Sequence, residues 1–238
     1  MDEARLRAML ADHLAKVEER LRAACRRAGR DRGEVTLVAV TKTVSAEVAA
    51  QLHGLGVADL GESRPQELWR KAAALPATVR WHLIGHLQRN KVERTLPLAC
   101  CVHSVDSVRL LQELEAQAAT RPGGIEALLE VNASREASKH GFAPEEVQAL
   151  APEINKLGNV RVRGLMTMAA YEEDPERCRP TFVMLRRLRD RLREALGRPL
   201  PRLSMGMSND FEVAVEEGAT LVRLGTVLFE GLPAGEGG

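Results

Sequence analysis

The sequence predicts an α/β protein built as one (β/α)8 TIM barrel with an extra helix at its N-terminus. Two observations lead to this prediction: eight short apolar runs alternate with amphipathic stretches over 238 residues, and no linker rich in Pro, Gly or Ser interrupts them before the last residues. Strands that alternate with helices pair in parallel, because parallel neighbours need a crossover connection. We therefore predict a single domain over residues 1–231 and a flexible C-terminal tail over residues 232–238. A doubly wound open sheet is the alternative arrangement of the same elements.

The extra element is a long amphipathic helix at the start of the chain. Leucines and one valine recur at helical spacing over residues 2–28, and Gly29 follows the last turn. The eight apolar runs come after this helix and have the length of buried strands. In chain order they are Val35–Val40, Val57–Leu60, Trp81–Leu87, Ala99–Val105, Ile125–Val131, Val162–Met168, Leu203–Met207 and Thr220–Phe229.

Helix start signals lie in the gaps between the predicted strands. Ser45 and Ser107 each precede an amphipathic stretch and are typical N-cap residues. Ser63 and Gln66 have the spacing of a capping box. A stripe of leucines predicts a long helix over residues 180–197. Each connection can therefore contain the helix that a parallel barrel requires.

Composition and charge exclude several classes of function. The net charge is +1 and only 3% of the residues are aromatic, so neither the charge nor the stacking surface of a nucleic-acid binder is present. No apolar run approaches the ~18 residues of a membrane span, and the charged N-terminus does not read as a signal peptide. None of the four cysteines forms a CxxC pair, which favours free thiols in a reducing compartment. We expect a cytoplasmic protein with no nucleic-acid or membrane partner.

In a barrel of this kind, functional residues lie where strands end and the following loops begin. The seventh and eighth strands end in SMGMSND (Ser204–Asp210) and RLGT (Arg223–Thr226). Loops at these two positions often bind phosphate through backbone N–H groups. Gly206 and Gly225 would let the backbone approach a phosphate, and the hydroxyls nearby can donate to it. The alternative is that both glycines serve tight packing alone.

Lys42 stands directly after the first predicted strand, between Thr41 and Thr43. At the mouth of a barrel, across from a phosphate site, its amine could neutralise the phosphate or form a Schiff base. Burial at the strand end would lower the pKa of the amine from about 10.4 and make it nucleophilic at neutral pH. A solvated loop lysine is the alternative.

Arg223 interrupts the apolar eighth strand between Val222 and Leu224. A guanidinium that points into a barrel needs a carboxylate partner or a ligand. The residues leave both possibilities open: an ion pair with Glu62 or Asp210, or contact with a bound ligand.

No residue pattern predicts a metal site or a catalytic nucleophile. His82 and His86 have the spacing of metal ligands on a helix, but they lie in a predicted strand. Ser208 lacks the second glycine of a nucleophile elbow. We therefore predict a binding site without a metal and without a catalytic residue.

Eight motifs follow one another along nearly the whole chain. They are LVAVTKT (Leu37–Thr43), GESRPQE (Gly61–Glu67), WHLIGHLQRNK (Trp81–Lys91), HSVD (His103–Asp106), VNASREASKHGF (Val131–Phe142), RGLMTM (Arg163–Met168), LSMGMSND (Leu203–Asp210) and VRLGTVLFEG (Val222–Gly231). Together they resemble the family of pyridoxal phosphate homeostasis proteins, also called PLP-binding proteins. This resemblance implies a fold-type-III PLP barrel, similar to the N-terminal domain of alanine racemase.

The resemblance also implies roles for individual residues. Lys42 would carry pyridoxal 5'-phosphate (PLP) as an internal aldimine, and Arg223 would face the pyridine nitrogen. Ser63 stands where the family usually has Asn, so the hydrogen bond of that Asn to the cofactor region is not carried over. The phosphate-binding segments of the family match Ser204, Ser208, Gly225 and Thr226.

The function that the resemblance implies is buffering and delivery of PLP, with an effect on amino-acid and keto-acid balance and without established turnover. An arginine at the pyridine nitrogen stays protonated, so the ring nitrogen stays unprotonated and the ring is a poor electron sink. Racemisation needs a second acid or base opposite the lysine, and the single tyrosine, Tyr171, follows the sixth strand in a loop. We expect a non-catalytic carrier. The alternatives are a weak amino-acid racemase and, without PLP, a Schiff-base aldolase acting on a sugar phosphate.

The expected partners follow from a carrier function. They are PLP itself and, as transient clients, the apo forms of PLP-dependent enzymes, with the chain working as a monomer. Lys91 and Lys139 lie in motifs that resemble the family and leave open a secondary PLP site.

Overall fold

The computed structural model, which describes residues 2–133 and 140–232, is a closed barrel of eight parallel strands in chain order. Strand β1 pairs with β8 as well as with β2, which closes the sheet on itself. The strands are β1 Thr36–Val40, β2 Asp59–Glu62, β3 Arg80–Leu83, β4 Ala99–Val105, β5 Ile125–Glu130, β6 Val160–Met166, β7 Arg202–Ser204 and β8 Leu221–Leu224. The prediction of a (β/α)8 barrel is confirmed, and the open-sheet alternative is wrong.

Helices surround the barrel, and the predicted extra helix precedes it. They are α1 Glu3–Arg27, α2 Ala46–Gly54, α3 Pro65–Ala74, α4 Val92–Thr95, α5 Val108–Ala118, α6 Ala151–Asn155, α7 Arg179–Leu196, α8 Phe211–Glu216 and α9 Thr226–Phe229. The extra helix α1 packs against α8 and α9, and Arg20 and Arg27 pair with Glu212 and Glu216 at 2.6 Å each. Within the described ranges, none of the helices combines the length and the apolar character that crossing a bilayer needs.

Two of the three predicted helix starts are confirmed. The hydroxyls of Ser45 and Ser107 accept hydrogen bonds from backbone N–H groups three residues later, at 3.4 and 3.3 Å. The predicted capping box of Ser63 with Gln66 is wrong. Helix α3 begins after Arg64, which is extended and makes no side-chain cap, because Pro65 fixes the first helical position and keeps its predecessor out of helical geometry.

Three predicted strands extend three or more residues beyond the observed ones. The third ends at Leu83, so His86, which we placed in that strand, lies in the loop after it. The seventh ends at Ser204, and the backbone then turns at Gly206, whose φ of +91° favours glycine. The eighth ends at Leu224, and the apolar residues after Gly225 form α9. A short apolar run reads the same in a strand and in a buried helical turn, so periodicity cannot separate the two.

Alternate residues of each strand point into the barrel or outward beneath the helices. A small apolar cluster fills the interior: Val38, Cys101, Leu128, Met166 and Leu221. The next inward-facing positions lie closer to the carboxyl ends of β4, β5 and β8. They are occupied by His103, Glu130 and Arg223. The interior is therefore apolar at its centre and polar toward the carboxyl end.

Candidate functional site

Lys42 lies in the turn after β1, at the carboxyl end of the barrel, and its side chain is exposed. The expected burial of this amine is wrong, because the chain leaves the strand at Val40 and turns at once, with the Val44 N–H donating to the Thr41 carbonyl at 3.1 Å. Among the described residues the amine has no carboxylate partner. Lys42 thus presents its amine to solvent at the barrel mouth, without a carboxylate partner in the described part of the chain.

A buried ion pair holds the residue just before this lysine. Lys71 of α3 donates to Glu62 Oε1 and to the Thr41 carbonyl oxygen, both at 2.6 Å. The hydroxyl of Thr41 donates to the same Glu62 oxygen at 2.6 Å, and all three residues are fully buried. The sequence considered Glu62 as a partner for Arg223, and that pairing is wrong. Glu62 faces outward toward α3 and fixes the backbone from which Lys42 projects.

Arg223 of β8 points into the barrel and is buried. Its Nη1 donates to Ser204 Oγ at 2.6 Å, and its Nη2 donates to the Thr167 carbonyl oxygen at 2.9 Å. Burial lowers the pKa of Arg223 to about 10, against the favourable charges of Asp210 and Glu130. The guanidinium therefore stays charged at neutral pH.

The loops after β7 and β8 meet at Ser208. Its hydroxyl accepts from the backbone N–H groups of Gly225 and Val227, both at 3.4 Å. A Cβ on Gly225 would lie 3.3 Å from the Val40 carbonyl oxygen, so this junction also touches the end of β1. Thr226 is exposed beside it. The structure brings together Ser208, Gly225 and Thr226, as the sequence predicted.

Ser204 has different neighbours from these loop residues. It lies on the inward face of β7, fully buried, with its hydroxyl 2.8 Å from His103 Nδ1 as well as 2.6 Å from Arg223. We expected Ser204 to bind phosphate together with the loop residues. In the structure its hydroxyl is already engaged inside the barrel. Ser204 orients Arg223.

Ser204 and Arg223 end a buried polar chain that the sequence did not reveal. His103 Nε2 lies 2.9 Å from His82 Nδ1, and His82 Nε2 lies 2.7 Å from Asp59 Oδ1. Burial opposes charge on His82, but hydrogen bonds to Asp59 and the neighbouring cysteines raise its pKa well above the ordinary value. Burial and the charges of His82 and Arg223 hold the pKa of His103 well below it.

With these protonation states, the hydrogen bonds of this polar chain all run in one direction. Charged His82 donates to Asp59 and to His103, and neutral His103 donates to Ser204. The chain connects the two ends of the barrel through its otherwise apolar centre. One feature of the sequence could have found it: both histidines occupy positions that alternation directs inward.

Carboxylates lie on the side of the mouth formed by β4 and β5. Burial, followed by the charge of Asp106, raises the pKa of Glu130 to about 7, against the charges of Arg223 and His86. Asp106 Oδ2 lies 3.0 Å from Nδ1 of His86, whose ring stacks on His140 at 4.6 Å between centroids. In the sequence, Asp106 stands out only as the last residue of the HSVD motif, and no pattern points to Glu130.

Two of the remaining candidates, Tyr171 and Lys91, make no hydrogen bond or ion pair with the residues of this site within the described ranges. Tyr171 is 81% exposed in the loop after β6, as expected. Lys91 ends a single turn of 3-10 helix, Arg89–Lys91, and is half-buried. Lys139 lies outside the described residues, as do residues 233–238 of the expected tail.

Comparisons with known proteins give similarities over most of the chain. A family model described as alanine racemase, N-terminal domain, matches residues 13–233. A pyridoxal phosphate homeostasis protein of Aquifex aeolicus is 43% identical over 219 residues, which cover 92% of this chain and 96% of that protein. The structure of PipY from Synechococcus elongatus with PLP bound is 30% identical with a TM-score of 0.80, covering 92% of this chain and 99% of that one.

A more distant structure shares the fold alone. Alanine racemase from Corynebacterium glutamicum is 15% identical with a TM-score of 0.70. The match covers 91% of this chain but only 61% of the racemase, so the racemase contains a large part that this chain does not match.

Proposed function

This chain belongs to the family of pyridoxal phosphate homeostasis proteins, and from that premise we propose that it binds PLP at the carboxyl end of the barrel. Its function is to hold and release PLP within the cell, with an effect on amino-acid and keto-acid balance and without catalytic turnover. The proposed PLP-binding residues are Lys42, Ser208, Arg223, Gly225 and Thr226, with Ser204 acting through Arg223.

One observation carries the proposal. An exposed amine at Lys42, a buried charged guanidinium at Arg223 and the Ser208–Gly225 junction all lie at the same end of one barrel. PLP needs three matching groups: an amine for its aldehyde, a partner for its ring nitrogen and N–H or O–H donors for its phosphate. The donor set at this mouth fits all three.

Lys42 supplies the covalent attachment. Its side-chain amine would hold PLP, which would supply an aldehyde with which an amine can form a reversible covalent link. The exposed position of Lys42 supports reversible attachment, because both water and a competing amine can reach it. The ion pair beneath Thr41 keeps the backbone of this turn in place while the side chain remains accessible.

The charge of Arg223 supports the proposal that the protein holds PLP without catalytic turnover. Its pKa of about 10 keeps it a hydrogen-bond donor at neutral pH, so it would favour the unprotonated form of a ring nitrogen bound beside it. PLP provides an electron sink for carbanions, and this capacity falls when its ring nitrogen lacks a proton. Two contacts, to Ser204 and to the Thr167 carbonyl, hold the guanidinium in this orientation.

The loop residues after β7 and β8 are proposed to bind the phosphate of PLP. Ser208 links the backbone of the β7 loop to that of the β8 loop, and the exposed N–H and hydroxyl of Thr226 have no partner among the described residues. Ser204 is assigned to Arg223 because its hydroxyl is buried and already engaged there.

A weak amino-acid racemase is the second candidate, and Glu130 is the observation that favours it. With a pKa of about 7 at the same mouth, Glu130 can both accept and donate a proton at neutral pH. Incubation of the PLP-loaded protein with L-alanine, followed by chiral chromatography, tests this candidate. Inversion that disappears in Glu130→Gln would support the racemase, and no inversion would support the carrier.

The carrier proposal extends to partners and compartment. We propose apo forms of PLP-dependent enzymes as transient clients, a monomeric state and a cytoplasmic location. The open position of Lys42 supports delivery to a client, and four cysteines that form no disulfide fit a reducing compartment. Transfer of PLP to an apo-enzyme faster than its release into buffer would support delivery, and transfer at the rate of release would contradict it.

Visible absorbance with borohydride reduction tests the binding proposal. The purified protein is expected to absorb in the visible range, and borohydride is expected to bleach it and fix PLP. Lys42→Ala is expected to lose both responses, while Lys91→Ala serves as a control in a similar motif. A Lys42→Ala protein that keeps the full visible band would contradict the attachment.

A further inference from the structure

The amino ends of the strands line an open cavity of about 410 Å³. It lies at the opposite end of the barrel from Lys42, and most of its lining residues are at the first or second position of a strand. We call it the amino-end cavity, and its polar lining includes Arg80, Arg121, Arg161, Arg202, His82 and Cys100. Its volume lies within the range of ordinary small-molecule sites.

Positive charge in the amino-end cavity exceeds the negative charge available to balance it. Arg80 pairs with Asp59 at 2.9 Å, and Arg121 donates to the carbonyl oxygens of Leu96 and Ala99. The guanidinium groups of Arg161 and Arg202 have no hydrogen bond or ion pair within the part of the chain that the structure describes.

The acidic residues nearby do not supply the missing partners. Glu126 is the carboxylate that lines the cavity, and it lies 3.4 Å from a further arginine, Arg163, outside the lining. Burial, together with the charge of Arg161, lowers the pKa of Arg121, so these two guanidinium groups act on one another. Two arginines thus remain without counter-charge beside two that are already engaged.

We propose that the amino-end cavity binds a small polyvalent oxyanion, held by Arg161 and Arg202 with Arg80 and Arg121 alongside. Guanidinium groups present paired N–H donors that match phosphate and carboxylate oxygens, and such bonds are stronger than those between neutral groups. The ligand class is a small molecule with two or more phosphate or carboxylate groups. This site is distinct from the proposed PLP site and lies at the other end of the barrel.

A metal ion is the competing occupant, since His82, Cys101 and His103 lie with ligand atoms within 4.8 Å of one another. Two observations argue against it. The histidine rings already contact one another at 2.9 Å, and the surrounding guanidinium groups repel a cation. The same charges attract an anion.

Calorimetric titration of the PLP-saturated protein tests the site, because PLP then fills the phosphate site at the carboxyl end. Pyrophosphate and citrate are the two probes, titrated at constant ionic strength, and they separate a phosphate ligand from a carboxylate one. Saturable binding of either probe is expected. The Arg161→Gln/Arg202→Gln variant is expected to bind about 100-fold more weakly, as for the loss of two charge-assisted hydrogen bonds.

A matched variant separates a site from general electrostatic attraction. Arg187→Gln/Arg191→Gln removes the same charge from the exposed face of α7, where neither side chain has a partner among the described residues. It is expected to bind both probes as the unmodified protein does. Absence of saturable binding in the millimolar range, or equal weakening in both double variants, would overturn the proposal.

Discussion

The two ends of this barrel handle charge in opposite ways. At the carboxyl end, Arg223 is buried with two hydrogen bonds and with Glu130 and Asp210 near enough to favour its charge. At the amino end, Arg161 and Arg202 line an open cavity without a partner among the described residues. The buried charges of the first end are compensated by the chain itself. Those of the second need water, salt or a ligand.

A polar chain connects these unlike ends. It runs from Asp59 through His82, His103 and Ser204 to Arg223, past the apolar cluster in the centre of the barrel. Each link is short and buried, so removal of one member leaves its neighbours without a partner. The comparison predicts that substitutions at the carboxyl end and along the chain cost stability, whereas those at the amino end do not.

Loss of the buried cation beneath Lys42 should give the largest effect. Lys71→Ala leaves the Glu62 carboxylate buried and unpaired, and we expect the free energy of unfolding to fall by about 3–5 kcal/mol. Urea denaturation measures this change. The double variant Glu62→Gln/Lys71→Met removes both charges and should recover most of the loss. A single variant as stable as the double one would contradict the account of compensated charge.

The pH dependence of Glu130 comes next. The pKa of Glu130 is raised to about 7, so the folded state binds the proton more tightly than the unfolded chain does. The stability that this proton contributes is full below the unfolded pKa and is lost as pH rises through 7. Relative to Glu130→Gln, the protein should lose about 3 kcal/mol between pH 4 and pH 8. Denaturation curves at both pH values give this difference. If the free energy of unfolding depended on pH in the same way in both proteins, the pKa of Glu130 would not be shifted in the folded state.

Ser204 tests the polar chain itself. Ser204→Ala removes the oxygen that accepts from Arg223 and contacts His103, leaving buried donors unsatisfied, so we expect a loss of about 1–3 kcal/mol. Ser208→Ala is the matched control, because its hydroxyl makes only long contacts in a half-buried loop. Its unfolding free energy should change by less than that of Ser204→Ala. The reverse order would break the distinction between the two serines.

The amino end should show the smallest effect on stability. Arg161→Gln/Arg202→Gln removes two cations that have no partner among the described residues, so without added oxyanion we expect a change within about 0.5 kcal/mol. Thermal unfolding in a buffer without phosphate or citrate measures it. A loss comparable to that of Ser204→Ala would mean that these arginines are compensated within the fold after all.

Sequence patterns predicted the regular secondary structure and the topology well. Alternating strands and helices predicted the barrel, and Ser45 and Ser107 marked helix starts correctly. It was less informative at the eighth strand, because the apolar residues after Gly225 fit a strand and a helical turn equally well. It also failed for the burial of Lys42, which depends on where the chain turns after Val40.

Within the candidate site, single residues were easier to predict than their partners. Arg223 was identified as a buried cation, but its neighbours come from β6 and β7, and no local pattern pairs them with β8. His82 and Glu130 were missed for a similar reason: each gains its properties from side chains on other strands. Contacts across a barrel depend on register, which emerges only when all eight strands are paired.

Peptide mapping of the borohydride-reduced protein tests the central claim most directly. The PLP-loaded protein is reduced, digested and analysed by mass spectrometry to find the lysine that carries the added pyridoxyl mass. We expect the modification on Lys42, at the carboxyl end of the barrel and opposite the arginine-lined cavity. A modification carried mainly by Lys91 or Lys139, with Lys42 unmodified, would contradict it.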